Sequence, residues 1–274
     1  MIHNVDYSDL KKFHKILYER SGLYFGESRF EFLKIKLLKR MEYIKNNNIE
    51  NYFNLINRDR EEFQNLLNEM TINETYFFRE LNYLETYLDK IFSKQIKDKQ
   101  NIKIISSACS SGEEPYSLAI LIKEKYPYIN NRIEIIGIDI DSSMIDRAKK
   151  GEYREFSLRV TPKNIIDKYF NKENNHYIIA SEIKNMLKFY KMNILDEQFK
   201  GLIEDSELIL SRNVLIYFDS ESKKKALDIY YNGLSNNGIL MLGKSESIFS
   251  VNNKFKIVHY PQVIFYKKEE KKND

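Results

Sequence analysis

The chain predicts an α/β fold of Rossmann type, preceded by an all-α domain and interrupted by a small antiparallel β-subdomain. Three observations carry that prediction. Residues 7–69 hold apolar positions at helical spacing with no convincing strand run. After Arg79 short apolar runs alternate with helical stretches, the pattern of a mostly parallel sheet covered on both faces. Between Gly151 and Asn185 that alternation is lost.

In the helical part, Phe30, Leu33, Leu37, Met41 and Ile44 repeat along one helix face. Arg29, Lys36 and Arg40 form a stripe beside it, with Lys39 close by. A charge run of this kind is most simply a solvated surface, and a contact surface if an acidic partner docks there. Residues 102–106 then read as the first strand, 115–125 as its helix and 133–138 as the second strand. Residues 142–149 follow as a helix that Ser142 or Ser143 can cap. Further strands are expected at 187–192, 207–211, 238–243 and 263–267, with a long helix at 220–234. The interrupting stretch, about 151–186, holds Thr161-Pro162, a helix-like 165–170, a polar turn at 171–175 and a strand-like 176–180. The domain division is 1–72 for the helical domain and 73–274 for the α/β domain, with a charged tail from Lys267 or Lys268 onward expected to be disordered.

With 274 residues and 42% hydrophobic content the chain can bury a substantial core. No apolar run reaches the ~18 residues of a membrane span, and the N-terminus has no basic start leading into an apolar stretch, so a cytoplasmic protein is expected. The one cysteine, Cys109, has no partner for an internal disulfide, and the four histidines lack metal-ligand spacing, so no metal is expected. A net charge of +4 from 44 basic and 40 acidic residues does not point to nucleic acid.

The turn after the first strand contains Ser107, Ala108, Ser110, Ser111 and a single glycine, Gly112. A dinucleotide site needs several glycines for backbone approach to pyrophosphate, and Glu113 and Glu114 would repel a phosphate. A cofactor carrying a sulfonium and an ammonium has the opposite need. The second strand runs into Asp139-Ile140-Asp141, and an acidic residue there can accept from both hydroxyls of a ribose. An aspartate alone at a strand end more often caps a helix, but this one follows the Gly112 turn by one strand. Strand 207–211 delivers Arg212 and Asn213 to the carboxyl edge of the sheet, and Tyr217 follows within about a turn.

Three ordered motifs, Asn73-Glu74-Thr75-Tyr76-Phe77-Phe78-Arg79-Glu80, the run 106–117 and Ser211-Arg212-Asn213-Val214-Leu215-Ile216-Tyr217-Phe218, together resemble the CheR-type methyltransferases, which methylate glutamates on bacterial chemoreceptors. The resemblance spans about 73–266. It implies a Rossmann-like S-adenosylmethionine-dependent domain that releases S-adenosylhomocysteine. It implies cofactor contacts from Asn73, Thr75, Arg79, Glu114, Asp139, Asn193, Ile194, Arg212 and Asn213, and it favours Asp139 over Asp141 and Glu114 over Glu113. Arg79 and Tyr217 are implied at the methyl-transfer site. The helical domain is implied to dock on the cytoplasmic helical domain of chemoreceptors, and the stripe of Arg29, Lys36, Lys39 and Arg40 is the surface for it. The enzyme is expected to be a monomer that neither binds nucleic acid nor inserts into the membrane.

Some family members grip a receptor C-terminal peptide through a glycine-containing loop of the inserted subdomain. The turn 171–175 has no glycine, so tethering of this kind is not expected. Two rival readings fit the same residues. A methyltransferase of the same fold acting on RNA or a small molecule would lack the receptor-docking domain. A non-catalytic cofactor-binding signalling module would fail a tritium-transfer assay.

Overall fold

The computed structural model describes residues 5–129, 132–248, 251 and 254–269. Helix α1 (Tyr7–Ser21) starts in a capping box between Asp6 and Asp9 and stops at Gly22, whose φ of 78° closes the last turn. Helix α2 (Phe30–Tyr43) buries Phe30, Leu33, Leu37 and Met41. The side chains of Asn48 and Asp59 cap α3 (Ile49–Arg58) and α4 (Arg60–Met70). Together these helices enclose one core around Phe13, Leu17, Tyr52, Ile56 and Leu66.

After a linker come α5 (Leu81–Tyr87), a π-turn over Leu88–Phe92 and α6 (Ser93–Asp98). Then β1 (Ile102–Ser107), α7 (Glu113–Lys125), β2 (Ile133–Asp139) and α8 (Ser142–Lys150) alternate. The inserted part contains β3 (Glu152–Tyr153), α9 (Lys163–Tyr169), β4 (Phe170–Glu173), β5 (His176–Ile179) and the short α10 (Ser181–Lys184). The main fold resumes with β6 (Leu187–Lys191), α11 (Glu197–Leu202), β7 (Ser206–Ser211), α12 (Ser220–Gly233), β8 (Leu234–Leu242), β9 (Lys256–Tyr260) and β10 (Val263–Lys267).

The seven-stranded sheet runs β6-β2-β1-β7-β8-β10-β9. Its first five strands are parallel, and β10 and β9 join antiparallel. Successive residues of β1 serve opposite faces: Ile104 belongs to the core that holds Leu118 and Leu84, Ile105 to the one that holds Phe199 and Tyr230. The inserted strands form a separate antiparallel sheet, β3-β5-β4. Phe77 packs edge-on against Tyr153 and Phe170 of that sheet, at 4.7 and 5.0 Å between ring centroids.

The helical domain sits over the carboxyl edge of the main sheet. Gln64 donates to Ile140 O at 2.8 Å, Asn68 to Ser142 Oγ at 3.0 Å and the Tyr18 hydroxyl to Asp219 at 3.0 Å.

Three expectations change, and one strand was not foreseen. The cap of α8 is Asp141, which accepts from the amides of Ser143 and Met144, and not Ser142 or Ser143. Residues 171–173 of the expected polar turn continue β4, so only Asn174 and Asn175 turn, with Glu173 paired to His176. Strand β9 went unforeseen because it borders only β10 and is little buried, which removes its hydrophobic alternation. The tail is ordered at its start: Lys267 lies in β10, and Lys268 exchanges backbone hydrogen bonds with Asn237 and Gly238. Residues 270–274 of the expected disordered tail lie outside the described residues. Among the described residues no helix is long and apolar enough to cross a membrane.

Candidate active site

The strand order reverses at β1, with β2 on one side and β7 on the other, and ligands of open α/β sheets bind at such a switch point beyond the carboxyl ends of the strands. A cavity of about 230 Å³ opens there. Its floor is the turn after β1. Ala108, Ser110 and Gly112 all adopt left-handed φ, at 59°, 49° and 90°. For Ala108 and Ser110 this costs on the order of 1 kcal/mol each, offset by bonds that exist only in this shape: Cys109 N–H to Ile138 O at 2.8 Å and Ser110 N–H to the Asp139 carboxylate at 2.7 Å. The remaining glycine is needed for space as well, since a Cβ on Gly112 would lie 2.9 Å from that of Ala148.

Asp139, at the end of β2, lines the cavity and is 5% exposed. One carboxylate oxygen takes the Ser110 amide and the other the Asp141 amide, at 2.7 and 2.8 Å. Each oxygen keeps a lone pair for a ligand. Burial pushes the Asp139 pKa up to about 6, although the backbone amides of Asp141 and Ser110 oppose the rise. Asp141 is used differently: besides capping α8 it accepts from Thr71 at 2.8 Å and from the Asn73 amide at 2.7 Å, so it anchors the linker between the domains. Asn73 lines the cavity, but its side-chain nitrogen is committed to Asp141 and Thr71.

Glu114 lines the cavity, whereas Glu113 is buried behind it, taking hydroxyl hydrogen bonds from Ser111 and Ser157. Glu114 accepts from Ser106 at 2.7 Å and pairs with Arg212 at 3.0 Å. The Arg212 guanidinium also reaches Glu80 at 2.9 Å and Arg79 O at 2.7 Å. Burial works to lower its pKa, but Glu114 and Glu80 outweigh this and raise it. Its Nε is buried without a hydrogen-bond partner among the described residues.

Thr75 and Arg79 also line the cavity. Arg79 donates to Glu74 O at 3.0 Å and leans on the Tyr76 ring. Tyr217 faces it, and the guanidinium of Arg29 sits 5.3 Å from the Tyr217 ring centroid. Burial raises the Tyr217 pKa against the pull of Arg29 and Arg79, so its hydroxyl stays protonated at neutral pH. Phe77 and Phe78 are buried core residues and do not line the cavity.

Two features had no signal in the local sequence. Glu246 accepts the amides of Asn213 at 2.7 Å, Leu215 at 2.9 Å and Gly243 at 2.9 Å, and so holds Asn213 in its left-handed conformation. Burial raises the Glu246 pKa and these amides oppose it. The second feature is the loop after α1. Leu23, Tyr24 and Phe25 form a cavity wall, and Tyr24 N–H bonds Tyr217 O at 3.1 Å.

Other expected residues lie elsewhere. Asn193 and Ile194 are absent from the cavity wall: the Asn193 amide donates to the Arg20 and Ser21 carbonyls, tying α1 to the sheet, and Ile194 is buried in the core. The basic stripe is also corrected. Arg40 is bidentate to Glu62 at 2.9 and 2.5 Å, and Glu62 in turn takes the Tyr52 hydroxyl at 3.0 Å, so Arg40 is an internal brace and not a docking residue. Lys39 and Lys36 approach Glu69 at 3.0 and 3.9 Å. Arg29 is apart from them, at the cavity.

Two family profiles match the chain: CheR methyltransferase, all-alpha domain, over residues 8–71, and CheR methyltransferase, SAM binding domain, over residues 73–264. The chain is 31% identical to chemotaxis protein methyltransferase 2 of Vibrio cholerae over 97% of its own length and 95% of that protein. It is 33% identical to a chemotaxis protein methyltransferase of Campylobacter jejuni, covering 95% and 96% of the two chains. With that of Borreliella burgdorferi it shares 30% identity over 89% and 90%.

Proposed function

The chain belongs to the CheR methyltransferase family, and from that premise we propose that it transfers a methyl group from S-adenosylmethionine to glutamate side chains of chemoreceptors. The observation that carries this is the gathering of Arg79, Glu114, Asp139, Arg212, Asn213 and Tyr217 on one cavity at the switch point of the sheet. Family membership over most of the chain disfavours both RNA or small-molecule chemistry and a non-catalytic module.

The donor set fits the cofactor. Asp139 offers one lone pair per oxygen to two ribose hydroxyls, Glu114 offers a carboxylate to an ammonium, and the Arg212 guanidinium holds Glu114 in place. When bound, S-adenosylmethionine supplies an electrophilic methyl on a sulfonium. The acceptor needs no general base, because a glutamate of pKa about 4.3 is ionised at neutral pH. The protein therefore has to align and to exclude water. Alignment alone is worth effective molarities on the order of 10⁵ M or more. Because opposite charges are neutralised as the reaction proceeds, a cavity walled by Leu23, Phe25, Phe32, Val214 and Tyr217 favours the transition state over solvated ions.

In this reading Arg79 and Tyr217 orient the acceptor carboxylate, with Arg79 held short of a tight clamp that would quench the nucleophile. The helical domain meets the cytoplasmic helices of the receptor, with Arg29, Lys36 and Lys39 toward it, and the enzyme acts as a monomer in the cytoplasm. The test is incubation of the purified protein with methyl-labelled cofactor and receptor cytoplasmic fragments. Base-labile label on fragment glutamates is the expected result, and its absence with all fragments overturns the proposal.

A further inference from the structure

Beside the cavity, Arg159 lies over two aromatic rings, its guanidinium carbon 3.8 Å from the Tyr76 centroid and 4.0 Å from that of Phe156. We propose that Arg159 determines acceptor specificity by taking a second carboxylate, on the receptor segment that presents the methylated glutamate; this rests on the methyl-transfer reading above.

The placement comes first. The Tyr76 ring that carries Arg159 also carries Arg79, at 5.7 Å, and Tyr76 lies between Thr75 and Arg79 of the cavity wall, in the segment that begins with Asn73 and Glu74. Arg159 is therefore at the rim, one aromatic ring away from the proposed methyl-transfer residue. Its commitments within the protein are modest: a hydrogen bond to Phe156 O at 2.8 Å, and an ion pair with Glu74 that is 3.9 Å long, beyond hydrogen-bond reach. Phe156 and Val160 flank it at 68% and 54% exposure, an apolar border open to a partner surface.

Charge balance argues the rest. Arg29 and Arg79 line the cavity and Arg159 stands one aromatic ring beyond it, yet the reacting group brings one carboxylate, which must remain nucleophilic and is poorly served by strong pairing. A cation set back from the cavity suits a bystander carboxylate instead. On a helical acceptor, residues three or four apart share a face at ~5–6 Å between Cβ atoms, so an acidic residue one turn from the methylated glutamate reaches the rim when the glutamate enters. Contact with two rings restrains the guanidinium beforehand and lowers the ordering cost of a bidentate contact.

The experiment measures acceptor KM, kcat and cofactor Kd for wild type, Arg159→Ala, Arg159→Lys and Phe156→Ala on receptor fragments in which each acidic residue three or four from the acceptor is changed singly to Gln. We expect Arg159→Ala to raise KM about tenfold on the intact fragment, with kcat and cofactor Kd unchanged. One Gln substitution should impose the same rise on wild type and no further rise on Arg159→Ala. Arg159→Lys and Phe156→Ala should fall between, because each keeps part of the stacked cation. Unchanged KM for Arg159→Ala, or an equal loss on every fragment, overturns the assignment while leaving the methyl-transfer reading intact. Failure of wild type to methylate any fragment overturns both.

Discussion

The guanidinium of Arg212 stands 3.0 Å from the carboxylate of Glu114 with 2% of the Arg212 side chain exposed, and the same group reaches Glu80 and the Arg79 carbonyl. One side chain at the end of β7 thus ties the start of α7 to the segment that carries Arg79. Removing it leaves two carboxylates facing each other in a nearly dry wall. Arg212→Ala should lose about 3–5 kcal/mol of stability, read from denaturant unfolding. A loss below about 1 kcal/mol would show that water or a rearranged Glu80 replaces the bridge.

Asp139→Ala should weaken S-adenosylhomocysteine binding by about 1.5–3 kcal/mol, measured by calorimetry. The pH dependence has a definite sign. With its pKa raised to about 6, Asp139 ionises between pH 5 and 7, and only the ionised form accepts from two hydroxyls, so affinity should strengthen across that window. The stability of the ligand-free protein runs the other way. A raised carboxyl pKa favours folding most fully below the unfolded value of about 3.9, and that contribution fades as pH rises through about 6. A flat affinity profile for wild type would remove Asp139 from ligand binding.

Arg79→Ala and Tyr217→Phe should lower methyl transfer more than they lower cofactor affinity, since both are proposed to orient the acceptor. Steady-state kinetics beside binding isotherms decides this. Parallel losses of rate and affinity would make both residues cofactor ligands only.

Glu246→Gln keeps the size of the side chain but gives the amides of Asn213, Leu215 and Gly243 a single neutral oxygen to share. We expect a loss of about 1–3 kcal/mol in stability and a fall in kcat from a loosened segment between Arg212 and Tyr217. Wild-type kcat in a stably folded Glu246→Gln would mean that this segment holds its shape without the carboxylate.

The two kinds of basic residue on α2 should part company. Lys36→Glu and Lys39→Glu should raise acceptor KM, and wild-type KM should climb with salt, because exposed charges are screened within ~8 Å at physiological ionic strength. Arg40→Glu should instead unfold at lower denaturant, by about 2–4 kcal/mol, since it confronts Glu62 where Tyr52 is already bonded. A KM effect from Arg40→Glu without loss of stability would return it to the docking face.

The parallel strands were legible because β1, β2 and β7 are buried on both faces over most of their length, so apolar residues dominate them up to their polar endings. Those endings placed Asp139, Arg212 and Asn213 at the cavity with no knowledge of the turn geometry. Arg40 was misread because its partner Glu62 lies on another helix, and pairing between helices leaves no periodic trace. Glu246 was invisible for a related reason: its partners are backbone amides, two of them some thirty residues away, and amides carry no sequence signature. Asn193 sits where the resemblance expected a ligand contact, but the carbonyls ending α1 occupy its amide, a contact that depends on how the two domains meet.

The loop of Leu23, Tyr24 and Phe25 makes the helical domain part of the cavity wall, bonded through Tyr24 to Tyr217. A molecule filling the cavity touches both domains at once, so part of its binding free energy becomes free energy of domain association. The converse follows from reciprocity. Any partner whose docking shifts the helical domain must alter cofactor affinity by the same factor with which the cofactor alters docking. Occupancy of the cavity and closure of the helical domain are thereby two readings of one equilibrium, set by how tightly α1 and its loop close on the sheet.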